Sequence, residues 1–380
     1  MDFQLSEEQR QLKEAVGSFL AREFPFDRLK ALKREGHGHD ERLWRGLVEL
    51  GVPALLVPSE AGGLGFGPVE TLALMEASGP YLLLEPVFAS AVLATGLLAE
   101  LAGEPAVDQL LEELARGARI ATLAHFEPDS RYDLAAVQAR AIRESGGWRI
   151  NGRKSFVLQA GMADVLIVSA RMADEHLALF LVPRSAPGVT LIEYPLIDGQ
   201  RAADLVLEGV RVSEEGRVGA PDRAGAALEA AIAQAMAALA AEAVAIMQAL
   251  LDATVSYLQT RQQFGQPIGR FQALQHRVAE MLMHLEQARS MSLLAALRCR
   301  SADRSERLRA LSGAKALIGE ASRFVGQQAV QLHGGMGMTE ELQVSHWFKR
   351  LTAIDLWFGD SDTHLSRYIA LMQAEEAAAV

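Results

Sequence analysis

Twice along this chain the period of its apolar residues changes, and no single-layer fold accommodates both changes. From Ser6 to about Gly117 apolar residues recur three and four apart, as in Leu12, Val16, Phe19 and Leu20, the spacing that lines one face of an α-helix. Ser6, followed by acidic residues, reads as the N-cap of the first helix. The stretch VPSEAGGLGFGP interrupts this zone with Gly and Pro and predicts an irregular surface loop. From about Ala118 to Asp222 the pattern becomes short β-branched runs, WRING, DVLIVSAR, LALFLVP, VTLIEYP and ADLVLEGVRV, separated by Gly, Pro and Asp. Strands this closely spaced, with no helices between them, predict an antiparallel sandwich or barrel. From Arg223 the helical period returns: Leu228, Ile232, Met236, Leu239, Ala243, Ile246 and Leu250 form one stripe. Two further helices are predicted from about Phe271 to Arg300 and from Arg304 to His333, long enough for a four-helix bundle. The expectation is an α+β chain with a helical domain over 1–117, a β domain over 118–222 and a helical bundle over 223–380, without internal repeats.

Composition removes several function classes. A formal charge of -11 and the lack of any basic tract argue against a duplex nucleic-acid ligand, whose phosphates demand clustered Lys and Arg. One cysteine, Cys299, excludes an internal disulfide framework and a cysteine zinc site, and points to a reducing cytoplasm. The N-terminus, MDFQLSEEQR, has no basic or apolar signal region. Glu229, Gln234 and Glu242 interrupt the apolar segment from Ala224 to Leu251, which therefore reads as a helix of a soluble protein and not a membrane span.

Five stretches carry candidate chemistry. In YLQTRQQFGQPIGRFQALQHRVAEM, Gly265 is placed to close one helix, Pro267 to prevent its continuation and Phe271 to open the next. This is a helical corner; Arg261 and Gln272 beside it are also suited to hold an anion such as a pyrophosphate. In QQAVQLHGGMGMTEE the glycines follow a helix, the wrong end for the helix dipole to attract phosphate, so they read as a helix stop. EGHGHDERLW gathers His37, His39 and Asp40, too few convergent ligands for a metal, and HFEPDSRYD reads as a polar turn. LWFGDSDTH, near the end, sets Asp360 and Asp362 beside Gly359 and His364.

The two longest of these stretches together resemble the acyl-CoA dehydrogenase family, and the helix, β, helix order matches that family along the whole chain. The resemblance implies FAD as cofactor, an acyl-CoA substrate, a trans-2-enoyl-CoA product, an electron-transfer flavoprotein as acceptor, and a dimer or tetramer built through the C-terminal helices. It further implies that Arg261, Phe264, Gln272, Gln331, Gly334 and Gly335 grip the ADP half of FAD across a subunit interface. The flavin-ring side departs from the family. FEPDSRYD keeps Glu127, Pro128 and Asp133 but has Phe126 where the family has Thr and Tyr132 where it has Ser. KSFVL has Phe156 for the ring-stacking Trp and Leu158 for a Thr.

The base departs most. Counting nine residues from Arg350 places the usual catalytic Glu at Gly359, and counting 26 residues back from Arg261 places a second branch's base at Ala235. Neither residue has a carboxylate; Asp360 is the nearest alternative, one residue out of register and a methylene short. FVGQQAVQLHGGMGMTEE and FKRLTAIDLWFGDSDTHL resemble the small subunits of two-gene dehydrogenases such as pimeloyl-CoA dehydrogenase. The implied arrangement pairs this chain with a catalytic paralogous subunit that supplies the base. The alternatives are a self-sufficient enzyme using Asp360 and a purely structural partner subunit.

Overall fold

The computed structural model describes residues 5–36, 38–220 and 222–378. The chain divides into two compact units: one comprises the residues up to Leu29, Pro68–Leu83 and Met236–Val380, the other Lys30–Gly67 and Leu84–Ala235.

The second unit is built on an eight-stranded sheet. Its strands are β1 (Ala121–Ala124), β2 (Arg140–Glu144), β3 (Gly147–Leu158), β4 (Val165–Arg171), β5 (Leu177–Pro183), β6 (Val189–Pro195), β7 (Arg201–Ser213) and β8 (Arg217–Val218). They lie in the order β6-β7-β3-β2-β4-β5-β8, with β1 also paired to β4. All five predicted runs fall in strands. The pairing is antiparallel as expected except at β4, whose neighbours β1 and β2 run parallel to it. The reason is connection length: a parallel neighbour needs a long excursion of chain, and residues 125–139 between β1 and β2 supply part of one. The core gathers Ile150, Leu166, Val168, Phe180, Leu205 and Val210, with Trp148 edge-on to Phe180 at 5.7 Å. The register of β3 against β7 slips between Lys154 and Val157, and Phe156 inside this bulge has φ 56°. A bulge re-aims the side chains it carries. The same unit contains α3 (Glu41–Glu49), a π-helix at Val87–Ala94, α5 (Thr95–Ala99) and α6 (Pro105–Ala115).

The first unit is helical. It contains α1 (Glu7–Glu23), α4 (Pro68–Ser78), the part of α7 (Ala224–Thr260) from Met236 onward, α8 (Gln272–Arg298), α9 (Arg304–His333), α10 (Gln343–Leu356) and α11 (Ser361–Ala378). Between the two units in sequence, α2 (Phe26–Glu35) contributes residues to each. Ser6 caps α1 reciprocally: its Oγ accepts from Gln9 N at 3.2 Å while Gln9 Oε1 accepts from Ser6 N at 2.8 Å, so the capping partner is Gln9 and not an acidic residue. The most apolar stretch of α7 is 94% buried, as a core helix must be.

The corner after α7 differs from expectation in one residue's role. The helix stops at Thr260, and two strands, β9 (Gln262–Gln263) and β10 (Gln266–Pro267), pair antiparallel as a hairpin. Phe264 (φ 55°) and Gly265 (φ 78°) form its two-residue turn. Gly265 therefore closes a hairpin and not a helix, because such a turn needs positive φ at both central residues. Phe271 then caps α8 as predicted.

Candidate functional site

The residues expected to grip a dinucleotide lie on the helical unit. Arg261, Phe264 and Gln272 surround the hairpin, and Gln331, Gly334 and Gly335 end α9. Their two groups are fastened by a ring contact that the sequence does not reveal: Tyr257, one helical turn before Arg261, stacks on His333 with centroids 4.5 Å apart. His333 Nδ1 donates to Ala329 O at 2.8 Å, and burial lowers its pKa, which favours the neutral ring. Arg261, Gln272 and Gln331 are exposed, and Arg261 forms no ion pair among the described residues. Phe264 is 90% exposed, its ring edge-on to Phe271 with centroids 6.0 Å apart. Gly334 (φ 59°) caps α9, and neither it nor Gly335 has an atom within 4 Å of where a Cβ would stand. Open backbone at two successive glycines lets a ligand approach closely.

The segment around the expected base is also on the helical unit. Arg350, in α10, is 2% exposed; its Nε and Nη2 donate to Glu242 Oε1 and Oε2 at 2.6 and 2.7 Å, and its guanidinium lies 4.4 Å from the Trp357 ring centre. Lys315 closes α10 by donating to Ile354 O at 2.8 Å and Asp355 O at 3.1 Å, with burial lowering its pKa to about 8. The chain then turns through Phe358 (φ 61°) and Gly359 (φ 123°), both in the left-handed half of backbone space. Gly359 is buried, as is Ala235. Asp360 Oδ1 accepts from Thr363 N at 2.8 Å, which makes it the N-cap of α11. Asp362 is exposed in the first turn of that helix. His364 is 1% exposed, with Nε2 3.2 Å from Phe358 O and Nδ1 3.4 Å from Ser312 Oγ. Burial lowers its pKa to about 4, aided by the charges of Lys315 and Arg367.

Residues 125–133 form the expected turn within the β unit, at 128–132, and His125 and Glu127 at its start are buried. Lys154 is fully buried and pairs with Glu127 at 2.7 Å; it also donates to His125 O at 3.1 Å and Ser169 Oγ at 3.0 Å. Glu127 accepts further from Gln138 N and Ala139 N at 2.7 and 3.0 Å, so both oxygens of this carboxylate serve as structural acceptors. Burial lowers Lys154 to about 8 and, joined by the Lys154 charge, His125 to about 3. Ser155 N donates to Phe126 O at 2.8 Å, which sets Phe126 beside the bulge that holds Phe156. Both rings are half-buried, and Leu158 is buried without a polar atom to offer.

The other candidates resolve simply. No group of three metal-ligating side chains occurs among the described residues. Asp40 caps α3 through Arg42 N and Leu43 N at 3.0 and 3.2 Å, and His37 lies outside the described residues. Cys299 is buried after α8, and burial pushes its thiol up to about 12, which leaves it unreactive.

Comparison with known proteins extends the resemblance. The N-terminal, middle and C-terminal domains of acyl-CoA dehydrogenases match residues 6–118, 122–210 and 225–371. Acyl-CoA dehydrogenase FadE12 of Mycobacterium tuberculosis is 32% identical over 353 residues, covering 90% of this chain and 89% of that one. Benzylmalonyl-CoA dehydrogenase of Aromatoleum aromaticum is 33% identical over 306 residues, 79% and 81% of the two chains. Among solved structures, a variant of the Tcur3481-Tcur3483 steroid ACAD superposes with a TM-score of 0.87 at 30% identity over 98% of this chain and 99% of that one. The ChsE4-ChsE5 complex from Mycobacterium tuberculosis does so with a TM-score of 0.88 at 26% identity over 99% of each. With three consecutive domain matches spanning nearly all its length, the chain belongs to the acyl-CoA dehydrogenase family.

Proposed function

We propose that this chain is the base-lacking subunit of a heteromeric FAD-dependent acyl-CoA dehydrogenase, in which a paralogous subunit supplies the catalytic carboxylate and holds the acyl-CoA. The observation that carries the reading is the state of the base positions. Gly359 turns at φ 123° with no side chain, Ala235 is a buried methyl, and the carboxylate of Asp360 is engaged as the N-cap of α11. That capping bond counts against a self-sufficient enzyme using Asp360, since a base must be free to reach the Cα proton. Likeness to the Tcur3481-Tcur3483 protein and the ChsE4-ChsE5 complex, each named for two components, supports a two-chain assembly.

The residues fit one half of the cofactor. Exposed Arg261, with no ion-pair partner among the described residues, suits the pyrophosphate, the bare Phe264 ring offers a stacking face, and the open backbone of Gly334 and Gly335, beside Gln331, admits close approach. On the β unit the fit is poorer: Leu158 donates nothing, and Phe126 and Phe156 offer only rings. Bound FAD supplies the hydride acceptor for removal of the two hydrogens. This chain's part is to hold the ADP half, with Tyr257 and His333 keeping the two gripping segments together. One FAD per heterodimer, in an α2β2 assembly, follows.

The test is purification of the chain alone and with the product of an adjacent paralogous gene, recording flavin absorbance and acyl-CoA-dependent dye reduction. Flavin at one per two chains and turnover only in the pair are expected. An isolated chain that binds one FAD per subunit and turns over refutes the reading. Unchanged FAD binding in Arg261→Ala and Gln331→Ala would leave only a structural partner.

A further inference from the structure

We propose that His364 is a plug for the base position and Arg367 a guard on its charge, so that restoring a glutamate at 359 does not by itself restore a base. This deepens the reading that position 359 is where a base would stand. A Cβ built on Gly359 would lie 2.6 Å from His364 Nε2 and 2.9 Å from its Cδ2, closer than real Cβ contacts come. The imidazole has little freedom to retreat. It is 1% exposed, fixed between Phe358 O and Ser312 Oγ, and carried on the first turn of α11, where its backbone N–H donates to Asp360 O at 3.0 Å. The backbone resists as well, because φ 123° is strained for any residue with a side chain.

Charge adds a second barrier. Arg367 Nη1 lies 3.6 Å from the same Cβ point, three residues beyond His364 and so on the same face of α11. A carboxylate growing from position 359 would meet this guanidinium, and a nearby cation holds a carboxyl pKa down, the wrong direction for a base that must accept a Cα proton. His364 is not itself placed as the base. With Nε2–H donating to Phe358 O, its lone-pair nitrogen is Nδ1, which faces Ser312 in the interior. The plug occupies the volume, the guard sets the charge, and this chain is committed to the partner role.

A stability cycle in the co-purified complex tests the plug. Gly359→Ala is expected to lower Tm by several degrees in the native background and by clearly less in His364→Ala, backbone strain being common to both arms. Equal losses in the two backgrounds overturn the plug. The guard is tested in Gly359→Glu/His364→Ala with and without Arg367→Gln, reading the introduced carboxyl by carbon-detected NMR titration. Its pKa should rise by about one unit or more when Arg367 is removed, and no rise overturns the guard. His364→Ala should also keep turnover per flavin within about twofold of native. A large loss accompanied by disappearance of one limb of the pH profile would identify His364 as the base and overturn the proposal. Turnover by the isolated native chain would sink the base-lacking reading itself, whereas an uncoupled cycle removes the plug alone.

Discussion

Arg350 and Glu242 meet as a two-pronged ion pair, each carboxylate oxygen accepting one guanidinium N–H at 2.6 and 2.7 Å, with Trp357 lying 4.4 Å from the guanidinium. The pair joins α7 to α10 across 108 residues of sequence, and both side chains are at least nine-tenths buried. Removing one member strands a charge away from water, which typically costs about 3–5 kcal/mol. Glu242→Gln should therefore lower unfolding free energy by roughly that amount in urea titrations, while Glu242→Leu combined with Arg350→Met should recover most of it. Equal losses in the single and double variants would show that the pair contributes packing and not charge compensation.

Acid should weaken the fold through two histidines. His125 and His364 have pKa values of about 3 and about 4 when folded, against 6.5 ordinarily, chiefly through burial. Between pH 6.5 and those values the unfolded chain binds protons that the folded chain excludes, so stability is lost as pH falls through this window. Shifts of this size correspond to on the order of 3 to 5 kcal/mol each once the window has been crossed. Tm should fall from pH 6.5 to pH 4, and His364→Asn should show a shallower decline.

Two lysines continue the same trend at high pH. Lys154 and Lys315 are lowered to about 8 from 10.5, first by burial, so between these values the unfolded chain holds more protons and the two groups add stability as pH rises. Lys315→Met should reduce the rise in unfolding free energy between pH 8 and pH 10.5, measured by urea titration.

The hairpin tip separates folding from cofactor grip. Phe264 holds φ 55° and leaves its ring 90% exposed. Asn tolerates positive φ far better than Phe, so Phe264→Asn should keep Tm or raise it slightly. It should nevertheless weaken FAD retention by the complex about tenfold, the loss of a stacking contact near 1.4 kcal/mol, read by flavin fluorescence on dilution. Unchanged retention would remove Phe264 from the clamp.

Beneath the loop that carries Phe126, Lys154→Met should cost about 3–5 kcal/mol by leaving Glu127 buried without its cation. Because Glu127 also holds Gln138 N and Ala139 N, hydrogen exchange should accelerate at those two amides before the rest of the sheet. Uniform acceleration across β3 and β7 would show instead that the pair serves the whole sheet.

The order of helix, strand and helix was legible in the chain because hydrophobic period is local: each stretch announces its own burial pattern over a few turns or pleats. So were the strands at Val165–Arg171 and Leu177–Pro183, the long helices from Gln272 and Arg304, and the bare fact that Gly359 and Ala235 have no carboxylate. What the sequence could not decide depends on partners far away along the chain. The parallel neighbours of β4, the burial of Glu127 against Lys154, the turn role of Gly265 and the stacking of Tyr257 on His333 arise only when separate segments meet. His364 is the sharpest case. In sequence it is a histidine five residues from a glycine; in the folded chain its ring stands where a side chain at 359 would have to be, because the turn through Phe358 and Gly359 leads into α11 with His364 on its first turn, its Nε2 3.2 Å from Phe358 O. The sequence alone determined that position 359 carries no carboxylate, and tertiary packing decided that the His364 ring stands where a side chain there would have to be.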